Sequence, residues 1–426
     1  MTASLLIVLF VSLLIGSPIA VCLGLTAVAY FFITGESHLM FILAQRLFAG
    51  CNSFELIAIP LFVLSGDLML EGAISEALVN LAKSIVGWVK GSLALVTTLG
   101  CMLFGAVSGS GPATASAIGA VVVNSMREEG YPMDYTSAVM ACSGPLGTLI
   151  PPSILMVVYG VATGTSISMM LLSGIGPGLL FGITFMIYEA YIGKKYNYGK
   201  VTPFSWARLG KALKDGIWAI IAPLIILGGI YSGIFTPTEA ASVTVVYSLI
   251  VGMFIYKAIK LKDLPRILYN SALTTGSIMI VVGTVAVFGY AITREGIPQS
   301  LTLAATSTIS SPVAFLLVSQ VIILIAGMFM NGSAAILLLA PLLHPTVVHY
   351  GIDPVVYGAL MVSNLAIGMY TPPVAVTSYI SSRITGVSFD ATNKALIPFL
   401  IISVALIVLL IFCPWIISII PQAVLG

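Results

Sequence analysis

The sequence is poor in charged residues. Only 8% of its 426 residues are Asp, Glu, Lys or Arg, whereas 59% are hydrophobic. A soluble domain has about 25% charged residues, so most of the surface of this chain must face lipid. The net charge of +2 is too small to indicate a nucleic-acid partner. The composition therefore predicts an all-α protein that crosses the lipid bilayer several times.

Sequence motifs of common enzymes and pumps are also missing. There is no Gly-x-x-x-x-Gly-Lys-Ser/Thr phosphate loop, which argues against an ATP-driven pump within this chain. The three histidines lack the spacing of zinc ligands, and no Ser/His/Asp set stands out. The five cysteines lie in apolar segments and resemble small core residues rather than a disulfide framework. The sequence therefore offers no candidate for an ATP-driven, zinc-dependent or triad-based site.

A broken, polar stretch interrupts the apolar sequence at Gly105–Ala115, which contains three glycines and Pro112. An unpaired backbone group in hydrocarbon costs several kcal/mol, so a broken helix survives there only inside protein or beside a wet cavity. A loop at the membrane edge is the simpler alternative. A second break at Ala326–Ala335 argues against that alternative, because one gapless shift carries Gly111 to Gly332. The same shift superimposes both Pro-Pro pairs, Pro151-Pro152 and Pro372-Pro373. Internal repeats with interrupted segments at equivalent positions point to the binding site of a transporter.

The repeat predicts two halves, 1–215 and 216–426. Each half is expected to hold scaffold spans, an amphipathic arm, a re-entrant helical hairpin and a broken span. The hairpins are predicted at 97–126 and 315–345, and the broken spans at 134–165 and 355–380. An odd number of crossings per half makes the two repeats inverted. The basic segments 194–214 and 257–266 then lie in the cytoplasm, and both termini lie on the periplasmic side.

The broken stretches at the tips of the two hairpins, together with the two Pro-Pro breaks, predict a pair of cation sites. Neutral carbonyl and hydroxyl ligands without a carboxylate suit Na⁺ better than Ca²⁺ or Mg²⁺. The first site would combine residues of the first tip and first break, namely Ser108, Gly109, Ser110, Gly147, Ile150 and Pro151. The second would combine Met330, Asn331, Gly332, Gly368, Tyr370 and Thr371.

Polar side chains between the tips are candidates for binding a solute. They are Ser110, Thr114, Ser153, Asn331, Ser333 and Thr377. Arg383 would pair with a substrate carboxylate or, more in keeping with its place near a span end, anchor that end in the cytoplasm. Asp67 and Glu239 are proton-carrier candidates because ionisable residues at membrane depth are often functional, with helix capping as the equal alternative.

Six short motifs carry a family resemblance over nearly the whole chain. They are Gly16-Ser-Pro-Ile-Ala20, Ala58-Ile-Pro-Leu-Phe62, Gly105–Ala115, Ile150-Pro-Pro-Ser153, Phe235-Thr-Pro-Thr-Glu-Ala240 and Tyr370-Thr-Pro-Pro373. In these motifs the sequence resembles the DctM-like large membrane subunit of tripartite ATP-independent periplasmic (TRAP) transporters. One departure is the second tip, which reads Met330-Asn-Gly-Ser333 instead of Ser-Gly-Ser-Gly, so the two sodium sites need not be equivalent.

The resemblance implies an elevator-type secondary transporter of the bacterial inner membrane. It implies Na⁺-coupled import of an organic acid such as sialic acid or a C4-dicarboxylate. It also implies a periplasmic binding protein and a small four-span membrane subunit as partners. We expect that the small subunit is not fused to this chain, because the sequence starts directly in the family pattern. The alternatives are a stand-alone ion-coupled carrier or antiporter, a channel, and an intramembrane enzyme.

Overall fold

The computed structural model describes residues 2–36, 40–72 and 74–425, so His38 lies outside the described residues. Within these ranges the chain forms helices and no strands. The first half contains α1 (Thr2–Leu14), α2 (Ile19–Ile33), α3 (Phe41–Cys51), α4 (Ala58–Glu71), α5 (Ile74–Val86), α6 (Ser92–Ser108), α7 (Gly111–Glu128), α8 (Met133–Ser143), α9 (Ile154–Thr163), α10 (Ile167–Ser173) and α11 (Ile175–Tyr196). The second half contains α12 (Trp206–Tyr231), α13 (Pro237–Ile250), α14 (Leu264–Arg294), α15 (Ile297–Thr308), α16 (Pro312–Phe329), α17 (Gly332–His349), α18 (Pro354–Gly368), α19 (Val376–Thr385), α20 (Phe389–Phe412) and α21 (Trp415–Leu425).

Several helices are long and apolar enough to cross a membrane. Seven qualify within the described residues, or eight if α3 and α4, which meet at a 66° bend, count as one span. A full crossing needs about 20 apolar residues. The hairpin helices and the halves of the broken spans are mostly shorter, as expected for segments that end inside the protein.

The two halves of the chain have the same order of helices. Under the gapless shift seen in the sequence, α7 and α17 correspond at both ends, and α6, α8, α9 and α11 fall on α16, α18, α19 and α20. Both Pro-Pro peptide bonds, Pro151-Pro152 and Pro372-Pro373, are cis. The prediction of an all-α fold with repeated hairpins and broken spans is therefore confirmed.

The helices α1–α4 and α12–α14, called the scaffold below, are organised around the long helix α14. It packs against α2, α3 and α4. An ion pair holds it at each end. Arg266 makes two hydrogen bonds of 2.9 Å to the Glu71 carboxylate, and Arg294 lies 2.7 Å from that of Glu36.

The helices α6–α11 and α16–α21, called the transport unit below, carry the hairpins and the broken spans. The second halves of the broken spans cross to the other repeat, since α9 packs on α17, and α19 packs on α7 and α8. One continuous apolar core runs through this unit. The helices α5 and α15 connect the scaffold to the transport unit, where the sequence predicted the two arms.

One end of the transport unit gathers the basic loops of both repeats. Arg127 donates a 3.0 Å hydrogen bond to the carbonyl of Thr385, and Lys90 donates one of 2.8 Å to Asn197. The Lys200 amide donates to the Glu129 carboxylate at 2.9 Å. The segments around Lys90, Arg127, Lys200 and Thr385 thus lie together at one end of the bundle.

The helix bounds add detail to several predicted boundaries. The predicted division after residue 215 falls inside α12, and the division itself stays a prediction. Residues 4–33 form two separate short helices, α1 and α2, with a break at 15–18. Helix α3, whose residues are all at least partly exposed, and the terminal helix α21 were not predicted from the sequence. Each is only 11 residues long, well short of a full span.

Candidate functional site

Both hairpin tips and both helix breaks meet at one cavity of about 460 Å³, a volume suited to a small organic ligand. Its walls come from the transport unit and from scaffold helices α2 and α14. It is lined by Ile19, Gly109, Ser110, Gly111, Pro112, Thr148, Ile154, Leu155, Thr274, Ser277, Ile278, Val281, Asn331, Ser333, Ala334 and Met369. None of these side chains carries a charge. A charged solute in this cavity must therefore be held by dipoles, hydroxyl groups, amides or a bound ion.

The first tip requires glycine at position 109. Gly109 ends α6 in the left-handed region with φ of 63°, which other residues adopt only with strain. A Cβ atom there would also lie 2.3 Å from the carbonyl oxygen of Pro152. Because α6 ends at Ser108, the Ser108 carbonyl has no partner within the helix, and Pro112 suits the first turn of α7, where no N–H donor is needed. The sequence of the tip thus exposes backbone oxygens beside the first break.

The structure brings the first predicted sodium set together. The Ser108 and Thr114 hydroxyl oxygens are 2.9 Å apart, and a Cβ atom on Gly147 would lie 2.5 Å from the Thr114 hydroxyl. The helical partner of the Gly147 carbonyl would be the N–H group of residue 151, which is a proline and has none. Hydroxyl groups and a proline-freed carbonyl therefore lie side by side. These groups are the neutral oxygen ligands that the prediction requires, and their role in binding sodium stays a prediction.

The structure also brings the second predicted sodium set close to its hairpin. A Cβ atom on Gly368 would lie 2.6–2.7 Å from the Gly327 backbone, so α16 and the break are in close contact. The Gly368 carbonyl accepts the amide of Thr371 at 3.2 Å, and the Tyr370 carbonyl accepts the Ser378 hydroxyl at 3.3 Å. Two lone pairs per oxygen leave room for one further interaction each.

The tip side of this second set borders the cavity. Asn331 caps α17 by accepting the Ser333 amide at 3.0 Å, and Gly332 follows as the first residue of that helix. Met330 adopts an extended conformation just before the cap. In the break, the Tyr370 hydroxyl is buried and lies 2.6 Å from the Ser403 hydroxyl. The two sets therefore differ in their hydrogen bonding, in keeping with their different tip sequences.

The predicted substrate-binding residues divide into three groups. Ser110, Asn331 and Ser333 line the cavity. Thr114, Ser153 and Thr377 are fully buried outside its lining. Arg383 lies at the end of α19, where its guanidinium group stacks on the Tyr379 ring and donates to its hydroxyl at 2.6 Å.

The buried residues of this set make hydrogen bonds inside the protein. Ser153 caps α9 and donates to the Thr148 carbonyl. Thr377 donates to the Ala141 carbonyl at 2.9 Å and so links the second broken span to α8 of the first. These contacts position the breaks around the cavity.

Sequence reasoning missed the scaffold wall of the cavity. Thr274, Ser277, Ile278 and Val281 lie on one face of α14 and close the cavity opposite the tips. Their i, i+3, i+4, i+7 spacing is a weak signal of a helix face. This spacing does not show which residues the helix face contacts, because the hairpin tips across the cavity are far away in sequence.

The two carboxylates considered as proton carriers lie in the scaffold. Glu239 forms a capping box with Thr236, accepting its amide at 2.8 Å and its hydroxyl at 2.9 Å. This geometry supports the capping alternative. Asp67 is partly buried on α4 and accepts the Ser271 hydroxyl at 2.5 Å. Neither residue lines the cavity between the tips.

Comparison with known proteins identifies the family of this chain. The family described as "Tripartite ATP-independent periplasmic transporter, DctM component" matches residues 6–416. The chain belongs to the DctM family. It is therefore a transporter of the inner membrane and not an enzyme, and the family resemblance seen in its motifs is confirmed.

Individual relatives in the DctM family are similar over almost their whole length. The chain is 39% identical to the C4-dicarboxylate TRAP transporter large permease protein DctM of Pseudomonas aeruginosa over 372 residues, 87% of each chain. It is 36% identical to the sialic acid TRAP transporter large permease protein SiaM of Vibrio cholerae, over 96% of each chain. The crystal structure of the Alcanivorax borkumensis YdaH transporter has a similar fold, with a TM-score of 0.62 over 90% of each chain at 13% identity.

Proposed function

We propose that this protein imports a small organic acid together with Na⁺, with the cavity between the two tips as the substrate site. Relatives in the DctM family are named for C4-dicarboxylates and for sialic acid, both of which are carboxylates. The observation that carries the proposal is that both tips and both breaks converge on one cavity. Inverted-repeat transporters bind substrate and coupling ions at such converging half-helices.

The cavity accounts for anion binding without a basic side chain. Helices α7 and α17 begin at the two tips, and the N-terminal end of a helix carries a partial positive charge with free N–H groups. The hydroxyl groups of Ser110 and Ser333 and the amide of Asn331 add donors. Sodium ions at the tips would supply the remaining positive charge, which makes substrate binding depend on Na⁺.

In the proposed mechanism the transport unit moves against the scaffold as an elevator. The tips and breaks belong to the transport unit, whereas α14 belongs to the scaffold and forms only one wall of the cavity. Movement of the transport unit along that wall would carry substrate and ions together. Basic loops gather at one end of the bundle, and the positive-inside rule favours a cytoplasmic position for that end. With the proposed number of crossings, both termini would then lie on the periplasmic side.

The family also suggests partners for this chain. We propose that a periplasmic binding protein delivers the organic acid and that a small four-span subunit packs on the scaffold. The second candidate is a stand-alone carrier of the same fold, which would need neither protein.

Reconstitution tests the proposal directly. The chain is placed in proteoliposomes with its small subunit, with and without the binding protein, under an inward Na⁺ gradient. Labelled succinate, sialic acid and other organic acids are offered separately. Uptake that needs both Na⁺ and the binding protein supports the tripartite importer. Uptake independent of the binding protein supports the stand-alone carrier, and uptake that continues without a Na⁺ gradient contradicts sodium coupling.

A further inference from the structure

A buried carboxyl group lies in the transport unit, away from the cavity between the tips. Glu189 of α11 has no exposed surface. It does not line that cavity and belongs to neither predicted sodium set. An ionisable side chain at membrane depth is costly to keep, and it is therefore a candidate for function.

The hydrogen bonds of this carboxyl group are incomplete. The Thr98 hydroxyl donates to Glu189 Oε1 at 2.5 Å. Glu189 Oε2 is buried and has no hydrogen-bond partner among the described residues. The two ion pairs of the described chain, Arg266–Glu71 and Arg294–Glu36, leave Glu189 without a cationic partner. An ionised carboxylate in this place would have one hydroxyl donor and no countercharge, which costs several kcal/mol.

The groups facing Glu189 from the packed helices are neutral. Helix α6 contributes Thr98 and Cys101, and α8 contributes Cys142 and Ser143. Two phenols, Tyr131 and Tyr135, also lie near the carboxyl group. Helix α20 packs its Phe399 ring on Phe185 and Tyr188 of α11. Among the described residues, no lysine, arginine or histidine makes a hydrogen bond or an ion pair with Glu189.

A proton fits this environment better than a metal ion. Within the described residues, no three His, Cys, Asp or Glu side chains come together as metal ligands. The oxygens of Thr98 and Ser143 are 2.7 Å apart and already bonded to each other. Protonation needs no further ligand, because it removes the charge and turns one carboxyl oxygen into a donor.

The same hydroxyl groups connect Glu189 to the first tip and the first break. Because Thr98 gives its proton to Glu189, the bond between Thr98 and Ser143 must be donated by Ser143. Thr98 lies on α6, which ends at the Ser108 tip, and Ser143 is the last residue of α8 before the Gly144–Thr148 break. A change of charge on Glu189 would therefore act on both helices that form the first predicted sodium set.

We propose that Glu189 is a proton-binding site of this transporter, and that the negative charge left by loss of the proton, connected through Thr98 and Ser143 to the first tip and the first break, strengthens Na⁺ binding there. The chemical step is the binding of one H⁺ to one carboxylate, and no other bond changes. The effect on Na⁺ rests on the proposed function, whereas the protonation itself does not.

Infrared difference spectroscopy of the purified full chain in detergent tests the protonation at neutral pH. The wild-type minus Glu189→Gln spectrum should contain the C=O band of a carboxylic acid, shifted in D₂O. Glu76→Gln changes an exposed glutamate on the α5 arm and should keep that band. The wild-type minus Glu76→Gln spectrum should therefore lack it. In Thr98→Val the band should remain and move to higher frequency, because the carbonyl oxygen loses its donor. A difference spectrum that shows only carboxylate bands would overturn the proposal, as would an unshifted band in Thr98→Val.

Uptake measurements test the link to sodium. In wild-type proteoliposomes the Na⁺ concentration for half-maximal uptake should fall several-fold as the pH is raised and Glu189 becomes charged, and in Glu189→Gln it should stay constant. Parallel pH profiles in the two proteins would overturn the link. If no organic acid is taken up at all, the proposed function fails, while the infrared result still decides the protonation of Glu189.

Discussion

Single glycines set the distances at which the hairpins approach the breaks. A Cβ atom on Gly105 would lie 2.4 Å from the Cα atom of Gly147. The second repeat has a similar contact between Gly327 and Gly368. Gly147 and Gly368 are at equivalent positions of the two repeats, whereas Gly327 lies one residue beyond the position equivalent to Gly105. These close contacts hold the backbone of each hairpin next to its break.

Substitution of Gly105 by alanine should therefore separate the first tip from the first break. We expect a loss of about 1–3 kcal/mol in the free energy of unfolding, since overpacking a tight contact costs that much. Gly289→Ala is the control, because its added Cβ atom would meet nothing within 4 Å. In a helix interior that change normally stabilises by about 0.5–1 kcal/mol. Unfolding of both variants in detergent gives the comparison, and equal stability of the two would contradict the tight contact.

A negative charge at the second tip should prevent the binding of an organic anion. Asn331→Asp keeps the side-chain oxygen that caps α17 but places a carboxylate in the cavity. Like charges in contact cost several kcal/mol, which corresponds to more than about a tenfold loss of substrate affinity. The half-saturating substrate concentration for uptake measures this effect. Asn52→Asp adds the same charge at an exposed position outside the cavity and should leave that concentration unchanged. Normal affinity in Asn331→Asp would place the anion elsewhere.

At the scale of helices, the ends that depend on local sequence could be predicted, and the contacts that depend on tertiary packing could not. Gly109, Pro112 and the Pro-Pro pairs break helices through their own backbone chemistry, so the hairpins and breaks were visible in the sequence. The α14 wall of the cavity and the Thr98–Glu189 contact join residues distant in sequence. No local pattern marks such contacts. Local sequence is also ambiguous for Arg383, since its charge is compatible with a ligand and its place near a span end favours an anchor. Its side chain stacks on the neighbouring Tyr379.

The long helix α14 offers a test at this scale, because ion pairs fix its two ends. Arg266→Glu should lower the melting temperature by placing two carboxylates together at the start of α14. The double exchange Glu71→Arg with Arg266→Glu should restore most of the loss, and high salt should reduce both effects. Lys262→Glu is the matched control, since Lys262 makes no ion pair in the described part of the chain. If the double exchange is as unstable as Arg266→Glu alone, the pairing does not hold the helix.

At the scale of the whole molecule, the proposed elevator movement needs a smooth contact between scaffold and transport unit. The two units touch where α4 passes the first tip. A Cβ atom on Gly66 of α4 would lie 3.0 Å from the carbonyl oxygen of Ser108 and 3.3 Å from its Cα atom. The missing side chain lets the tip lie directly on the scaffold backbone, so residue 66 is a place where added volume would obstruct sliding.

Gly66→Ala should therefore slow transport more than it changes stability. The contact is tight by only a few tenths of an ångström, so the folded protein can relax around the methyl group in one position of the transport unit. Movement of the tip past α4 would have to overcome the same obstacle in every cycle. We expect a reduced maximal uptake rate with a melting temperature close to that of the wild type. Gly228→Ala on scaffold helix α12, where a Cβ atom meets nothing within 4 Å, should transport normally. A normal uptake rate in Gly66→Ala would mean that the tip does not slide along α4, and the elevator path would have to follow another face of the scaffold.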